Sequence, residues 1–383
     1  MTDLRHFAGA SALALFSSTF ASPALLANEL NPDIGVTLDG YYRSGEQALS
    51  HREEGFGLGH TELTLSSPID DRFEGRLTAV LEDHAGDTEL GLEEAYIQTT
   101  GLPWHLNLRA GRFLSQVGYL NGQHLHADDF VERPAAYRAL LGSHYFDDGV
   151  RVNLLLPTPF YWRVGAEALA GDRLGDTDGD EDIGVYTLST KLGGDLSASQ
   201  SWQAGFAWLR NRLTDVGSDG DAEHDHDHDH DHGHDHAGHS HGASYTGKNL
   251  YITDLVWKWA PQGNTRQSQL TLSGEYLYAD DLNRYASSDD TQEGWYASAV
   301  YQFAPQWSTG VRYGEVDLKE AHGDHFHDQS LEETEVMLAW SHSHFSTLRL
   351  QYTHQSTDGF EADDNTVTVQ YVMSFGAHGA HDY

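Results

Sequence analysis

The residues best equipped for chemistry lie in one tract. Between Asp221 and Gly242, histidine recurs as His224, His226, His228, His230, His232, His234, His236, His239 and His241, mostly alternating with aspartate. Neutral imidazole is a good ligand for zinc, copper and nickel, and interleaved carboxylates concentrate cations around it. Such a tract cannot build a core, and three or four imidazoles can surround one ion in many equivalent ways. That suits capture and release better than one rigid site. A plain spacer is the competing reading, yet aspartate with glycine or serine would space the chain as well without histidine. A second cluster, His322, His325 and His327, follows, and His378 and His381 lie in the tail. The chain has no cysteine and neither cluster contains methionine, so zinc is favoured over copper(I).

A further set of ligand types sits in 113–144, where His124, His126, Asp128 and Asp129 offer nitrogen and oxygen atoms to a divalent ion. Turn capping or backbone bonding accounts for the same residues equally well. Phe113, Tyr119, Leu120, Phe130 and Val131 punctuate this segment, which predicts a folded loop rather than a free one.

The elements that must position these loops show a period of two. Val367, Val369, Tyr371, Met373 and Phe375 alternate with Thr366, Thr368, Gln370 and Ser374, and similar runs recur along the chain. Sixteen such runs can be traced, near 33–43, 56–66, 72–82, 88–99, 104–112, 145–156, 160–170 and 183–193, then 200–210, 249–260, 266–278, 292–303, 307–317, 332–342, 345–355 and 365–375. Most are long enough to cross an apolar band of about 25 Å at a tilt of about 40°. Linkers after even-numbered runs are short, whereas those after odd-numbered runs are mostly longer, reaching 113–144 and 211–248. A soluble sandwich has no reason to sort loops by parity, but an outer-membrane barrel does. Seven tryptophans fall near strand ends on the short-turn side, with Trp208 and Trp295 near the other ends, as two interfacial girdles require. The prediction is an all-β fold, a transmembrane antiparallel barrel of about sixteen strands with short periplasmic turns and long extracellular loops.

In such a barrel the polar faces line water. Glu74, Arg76, Arg109, Arg163, Glu167, Glu275, Arg312, Arg349 and Gln351 then fall in the lumen, either as solvated residues or as an arginine wall facing acidic groups. The segment 113–144 is the third long loop, the one expected to fold inward as a constriction.

Composition sets the remaining bounds. Arg5 and His6 precede an apolar stretch from Phe7 to Leu26 with small residues at its exit, which reads as a signal peptide over 1–27 followed by a mature barrel over 28–383. This leaves no room for an internal plug domain. A formal net charge of -37 repels phosphate, so nucleic acid is excluded as a partner and cations accumulate instead. Neither a Gly-x-Ser-x-Gly elbow nor a His-Glu-x-x-His helix occurs, and no enzymatic activity is expected.

Gly59–Asp70, Leu92–Thr99, Ala110–Phe113, Gly118–His126, Phe146–Val150 and Ser374–His381 together resemble a group of predicted zinc-regulated outer-membrane porins, related to the phosphate-selective porin O/P type. The resemblance implies a channel in the bacterial outer membrane of metal-limited cells. The phosphate character of the relatives is not expected to carry over, because the only lysines are Lys191, Lys248, Lys258 and Lys319 and the loops are strongly acidic. The expected function is diffusion of divalent metal ions, with zinc as cargo and no resident cofactor. A metal-sequestering surface protein and a general or anion-selective porin are the alternatives. Lipid, divalent ions and, by analogy, two further copies in a homotrimer are the expected partners.

Overall fold

The computed structural model describes residues 32–84, 87–174, 183–213, 245, 247–283, 285–322 and 325–376. The expected signal peptide, the histidine–aspartate tract of 221–242, His378 and His381 lie outside the described residues.

The alternating runs pair into one antiparallel sheet. Its strands are β1 (Asp33–Arg43), β2 (Gly55–Leu58), β3 (Thr61–Pro68), β4 (Phe73–His84), β5 (Asp87–Thr99), β6 (Leu106–Leu114), β7 (Phe146–Leu155), β8 (Tyr161–Leu169) and β9 (Val185–Ser197). They continue with β10 (Gln200–Asn211), β11 (Asn249–Trp259), β12 (Gln269–Asp280), β13 (Gln292–Ala304), β14 (Trp307–His322), β15 (His325–Ser343), β16 (Ser346–Asp358) and β17 (Asn365–Gly376). Both β2 and β3 pair with β1, so they are two pieces of one stave, and the barrel has sixteen. It closes through β1 and β17, in register from Gly35 opposite Gly376 to Arg43 opposite Thr368.

Burial is inverted relative to a soluble protein. On β17 Val367, Val369, Tyr371, Met373 and Phe375 are exposed, whereas Thr366, Thr368 and Gln370 are buried. Leu348, Leu350 and Tyr352 on β16, and Val336 and Leu338 on β15, continue the apolar belt. Such a surface is compatible with hydrocarbon, because the strands bearing it pair with neighbours on both sides and leave no free edge. Trp307 and Trp340 face each other in register at the short-turn end, with ring centroids 6.2 Å apart, as a girdle requires.

Three expectations need correction. First, the loop expected around His322, His325 and His327 is instead a paired ribbon: β14 and β15 run on until His322 stands opposite His325 and Glu320 opposite His327. Continuing the ladder beyond the belt satisfies backbone groups that an open loop would leave to solvent. Second, the inner face is not aqueous throughout. Leu209, Ile252, Leu277, Val316, Leu318 and Leu331 point inward and pack against residues of the inserted loop. Period two conceals this where both faces are apolar, as along Tyr276–Ala279. Third, the inward arginines are neither simply solvated nor all set against acids across an opening. Arg312 pairs with Glu335 and Arg151 with Glu167, each in register on the adjacent strand, and Arg349 bonds Gln370 likewise.

The third long loop, 115–145, does fold inward, and the wall holds it at many points. It carries the helix α1 (Ala135–Leu141), whose residues are all buried. Glu275 of β12 accepts from the backbone N–H of Tyr119 (2.7 Å) and Leu120 (3.0 Å) and from the Tyr137 hydroxyl (2.8 Å). Gly118 lies at φ +82°, where a Cβ would fall 2.2 Å from the Tyr137 oxygen and 2.5 Å from Glu275, so only glycine lets the loop approach. Across the lumen, Arg138 pairs with Glu333 at 2.8 Å, and Arg43 with Glu132 at 2.6 Å. Asn121 joins the two ends of the loop, donating 2.8 Å bonds to the carbonyls of Ser115 and Tyr145.

Two predictions follow from this frame. Leu350→Arg, on the lipid face near mid-belt, should destabilise the barrel by about 2–4 kcal/mol in denaturant titrations from vesicles. An unchanged midpoint would mean that this face does not meet hydrocarbon. For the loop, burial raises the Glu132 carboxyl, but Arg43, Arg52 and Arg138 overcome it and hold the value down to about 2. The tie therefore contributes in full above the ordinary glutamate value and is lost only as pH falls through about 2. Pepsin should leave residues 115–145 intact near pH 4 and cut them near pH 2, whereas Glu132→Gln should be cut at both. Equal cleavage of the two proteins at each pH would count against the tie.

Candidate metal centre

Two irregularities of the wall build this site. Leu58 stands opposite Gly40 and Glu62 opposite Thr37, so Gly59, His60 and Thr61 face only Leu38 and Asp39. The extra residue is a β-bulge, and it turns both His60 and Glu62 inward. Gly59 leaves room there for the ion pair of Arg52 with Asp39, since a Cβ would lie 1.9 Å from that guanidinium and 2.5 Å from that carboxylate and would displace them. Two strands on, Thr78 pairs with Glu94 but Ala79 pairs with Leu92, leaving Glu93 as the extra residue of a second bulge. Consecutive Glu93 and Glu94 are both buried as a result.

The inserted loop brings imidazoles to these carboxylates from both of its ends. His124 Nδ1 lies 3.1 Å from Glu93 Oε2 and 3.5 Å from Glu62 Oε2, and His126 Nδ1 lies 2.7 Å from Glu62 Oε1. His144, just before β7, places Nε2 2.9 Å from Glu93 Oε1, while His60 Nε2 lies 3.4 Å from the same oxygen. Two triads result, His60–Glu93–His144 and Glu62–Glu93–His124, each with its ligand atoms within 4.8 Å of one another. Beside them is a cavity of about 100 Å³ lined by His60, Glu93, Leu125, Arg133 and His144, room for several waters.

The electrostatics favour a cation. Glu62, Glu93 and Glu94 are each at most 4% exposed, and the guanidinium of Arg76 is ion-paired with Glu94 at 3.2 Å. Buried carboxylates in such number need compensating positive charge. Burial alone would lower His124, but Glu62 and Glu93 outweigh it and raise the imidazole well above its ordinary value. His124 thus supplies one proton's charge. For His144 burial prevails and pushes the value down to about 4, leaving a neutral imidazole at neutral pH. His144 Nδ1 has no hydrogen-bond partner among the described residues, and Nε2 approaches Glu93 without hydrogen-bond alignment.

The residues singled out from sequence divide here. His124 and His126 are in the cluster, but Asp128 is engaged by Arg133, and Asp129 is coupled to Arg349 and Lys258. Arg76 borders the cluster, with Nη2 3.4 Å from His124 Nε2. Arg109 stacks on Tyr96 at 3.8 Å and bonds Gln98 at 2.8 Å. Arg163 stands in register beside Lys191, and Arg312 and Arg349 donate to loop carbonyls at Glu132 and Asp128. His60, Glu62, Glu93, Glu94 and His144 were not singled out. Glu93-Glu94 and His60-Thr61-Glu62 both interrupt polar–apolar alternation, which is the local mark of a bulge.

No family model matches the chain. An uncharacterized protein of Aquifex aeolicus is 28% identical over 361 residues, covering 87% of this chain and 71% of that protein. Among solved structures, in-vitro folded OmpT of Vibrio cholerae in its trimer form aligns with a TM-score of 0.56 at 10% identity, over 90% of this chain and 99% of that one. The outer membrane channel DcaP of Acinetobacter baumannii gives 0.54 at 12% identity over 90% and 96%. The anion-selective porin from Comamonas acidovorans gives 0.52 at 11% identity over 89% and 98%. The sixteen-stave barrel with its lipid-facing belt has the fold of the bacterial outer-membrane porins, and the outer membrane is where such a surface belongs.

Proposed function

We propose that this protein is a porin through which divalent metal ions, zinc foremost, diffuse across the outer membrane, and that it is a channel rather than an enzyme. The observation that carries this reading is the cluster of four imidazoles and three carboxylates where the inserted loop meets the wall. Nitrogen and oxygen donors in this proportion suit zinc, and a borderline ion exchanges among them readily. The tract at 221–242 and the ribbon tip bearing His325 and His327 would raise the ion's concentration at the mouth. Likeness to the trimer form of Vibrio OmpT supports a homotrimer. A second reading, anion passage, draws on Arg109, Arg151, Arg163 and Lys191, which occupy neighbouring strands β6 to β9.

Planar bilayers under a zinc chloride gradient decide between them. A cation-selective reversal potential is expected, with zinc uptake at limiting metal falling severalfold when residues 221–242 are removed. Anion-selective reversal would replace this reading with the second, and a flat current would leave only metal sequestration. Uptake unchanged by the deletion would remove the capture role of the tract.

A further inference from the structure

Each oxygen of Glu93 serves a different triad. Oε1 faces His60 and His144, whereas Oε2 faces His124, whose Nδ1 also faces Glu62. Ligands at about 2.0–2.1 Å from a tetrahedral zinc lie about 3.3 Å from one another. The separations here, 2.9 and 3.4 Å around Oε1 and 3.1 and 3.5 Å around His124 Nδ1, bracket that value. Glu93 is 1% exposed, yet its Oε1 has no hydrogen-bond partner among the described residues. A buried carboxylate oxygen closely approached by two imidazole nitrogens, without an aligned donor, is aimed at a point where a cation would satisfy all three.

The surroundings have the order that metal ligands require. The far nitrogen of His124, Nε2, lies 3.2 Å from Glu94 Oε2, and Glu94 is in turn paired with Arg76. A carboxylate on the distal nitrogen fixes ring orientation and leaves Nδ1 as the donor atom. On the other oxygen of Glu62, His126 holds a 2.7 Å contact that orients the carboxylate. Both bulges serve the same end: the first switches the strand from outward Leu58 to inward His60 and Glu62, and the second lets Glu93 share the inner face with Glu94.

We infer that His60, Glu62, Glu93, His124 and His144 form a two-ion centre in which the Glu93 carboxylate bridges two divalent transition-metal ions, one held with His60 and His144, the other with Glu62 and His124. His124 enters from the first part of the inserted loop and His144 from its end, whereas His60, Glu62 and Glu93 belong to the wall. Occupancy therefore staples both ends of the loop to the barrel. This deepens the reading of the cluster as a metal station and rests on it.

The test counts ions in the full chain, so that metal on the outer histidines cancels between variants. Protein folded in detergent is stripped with chelator, reloaded with zinc, desalted and assayed for bound zinc per chain, and retained heat-modifiable gel mobility certifies each barrel. Relative to the unaltered chain, His144→Ala and His124→Ala should each lose one ion, and Glu93→Gln should lose two. Loss of the same single ion in all three would overturn the bridged centre, and no loss in any would show the cluster empty. Manganese(II) provides a second readout independent of the variants' folding. The unaltered chain loaded with it should give the exchange-coupled resonance of a carboxylate-bridged pair, and isolated-ion spectra alone would overturn the inference. The two readings fail separately. Zinc current with a single ion in the cluster removes the bridged centre and keeps the channel; two ions without zinc current removes the channel and keeps the centre.

Discussion

Hydrocarbon offers no hydrogen-bond partner, and the rest of this structure is organised by that constraint. Each N–H and C=O within the belt must be met by a neighbouring strand, and a sheet with free edges cannot do so. The pairing of β1 with β17 removes the edges, and the outward apolar face then costs nothing in lipid. The same closure encloses a space into which one side chain in two must point. Polar residues that would be surface groups elsewhere become an interior.

That interior is more completely structured than a simple aqueous pore. The inserted loop meets inward leucines and valines of β10 to β15 with its own apolar residues, and it meets Glu275, Arg312, Glu333 and Arg349 with polar ones. Burying those charges is tolerable because each is ion-paired or makes several hydrogen bonds; removing one partner would leave the other stranded in a region of low dielectric. The loop is thus held by directional contacts around much of its circumference. Against β3 and β5 its own imidazoles meet a surface of carboxylates instead. The histidines there offer the same imidazole nitrogens as those counted between Asp221 and Gly242.

Sequence alone settled what depends on local period. Alternation, strand length, the parity of loop lengths and the placing of tryptophan near strand ends all reflect how single strands meet lipid and water, and the sixteen-stave barrel follows from them. Residue type was equally legible: the nine histidines between Asp221 and Gly242 are read directly from the chain, whatever their surroundings. Tertiary structure decided which distant groups share a site. The inward turn of His60 and Glu93 depends on register against strands β1 and β4, because a bulge exists only relative to a partner. The meeting of His124 with His144 depends on a loop whose course is set by wall contacts up to about two hundred residues away in sequence, such as Arg138 with Glu333. Periodicity reports which side of a strand a residue occupies, but a metal centre is a set of distances between strands and loop, and these arise only when the cylinder closes.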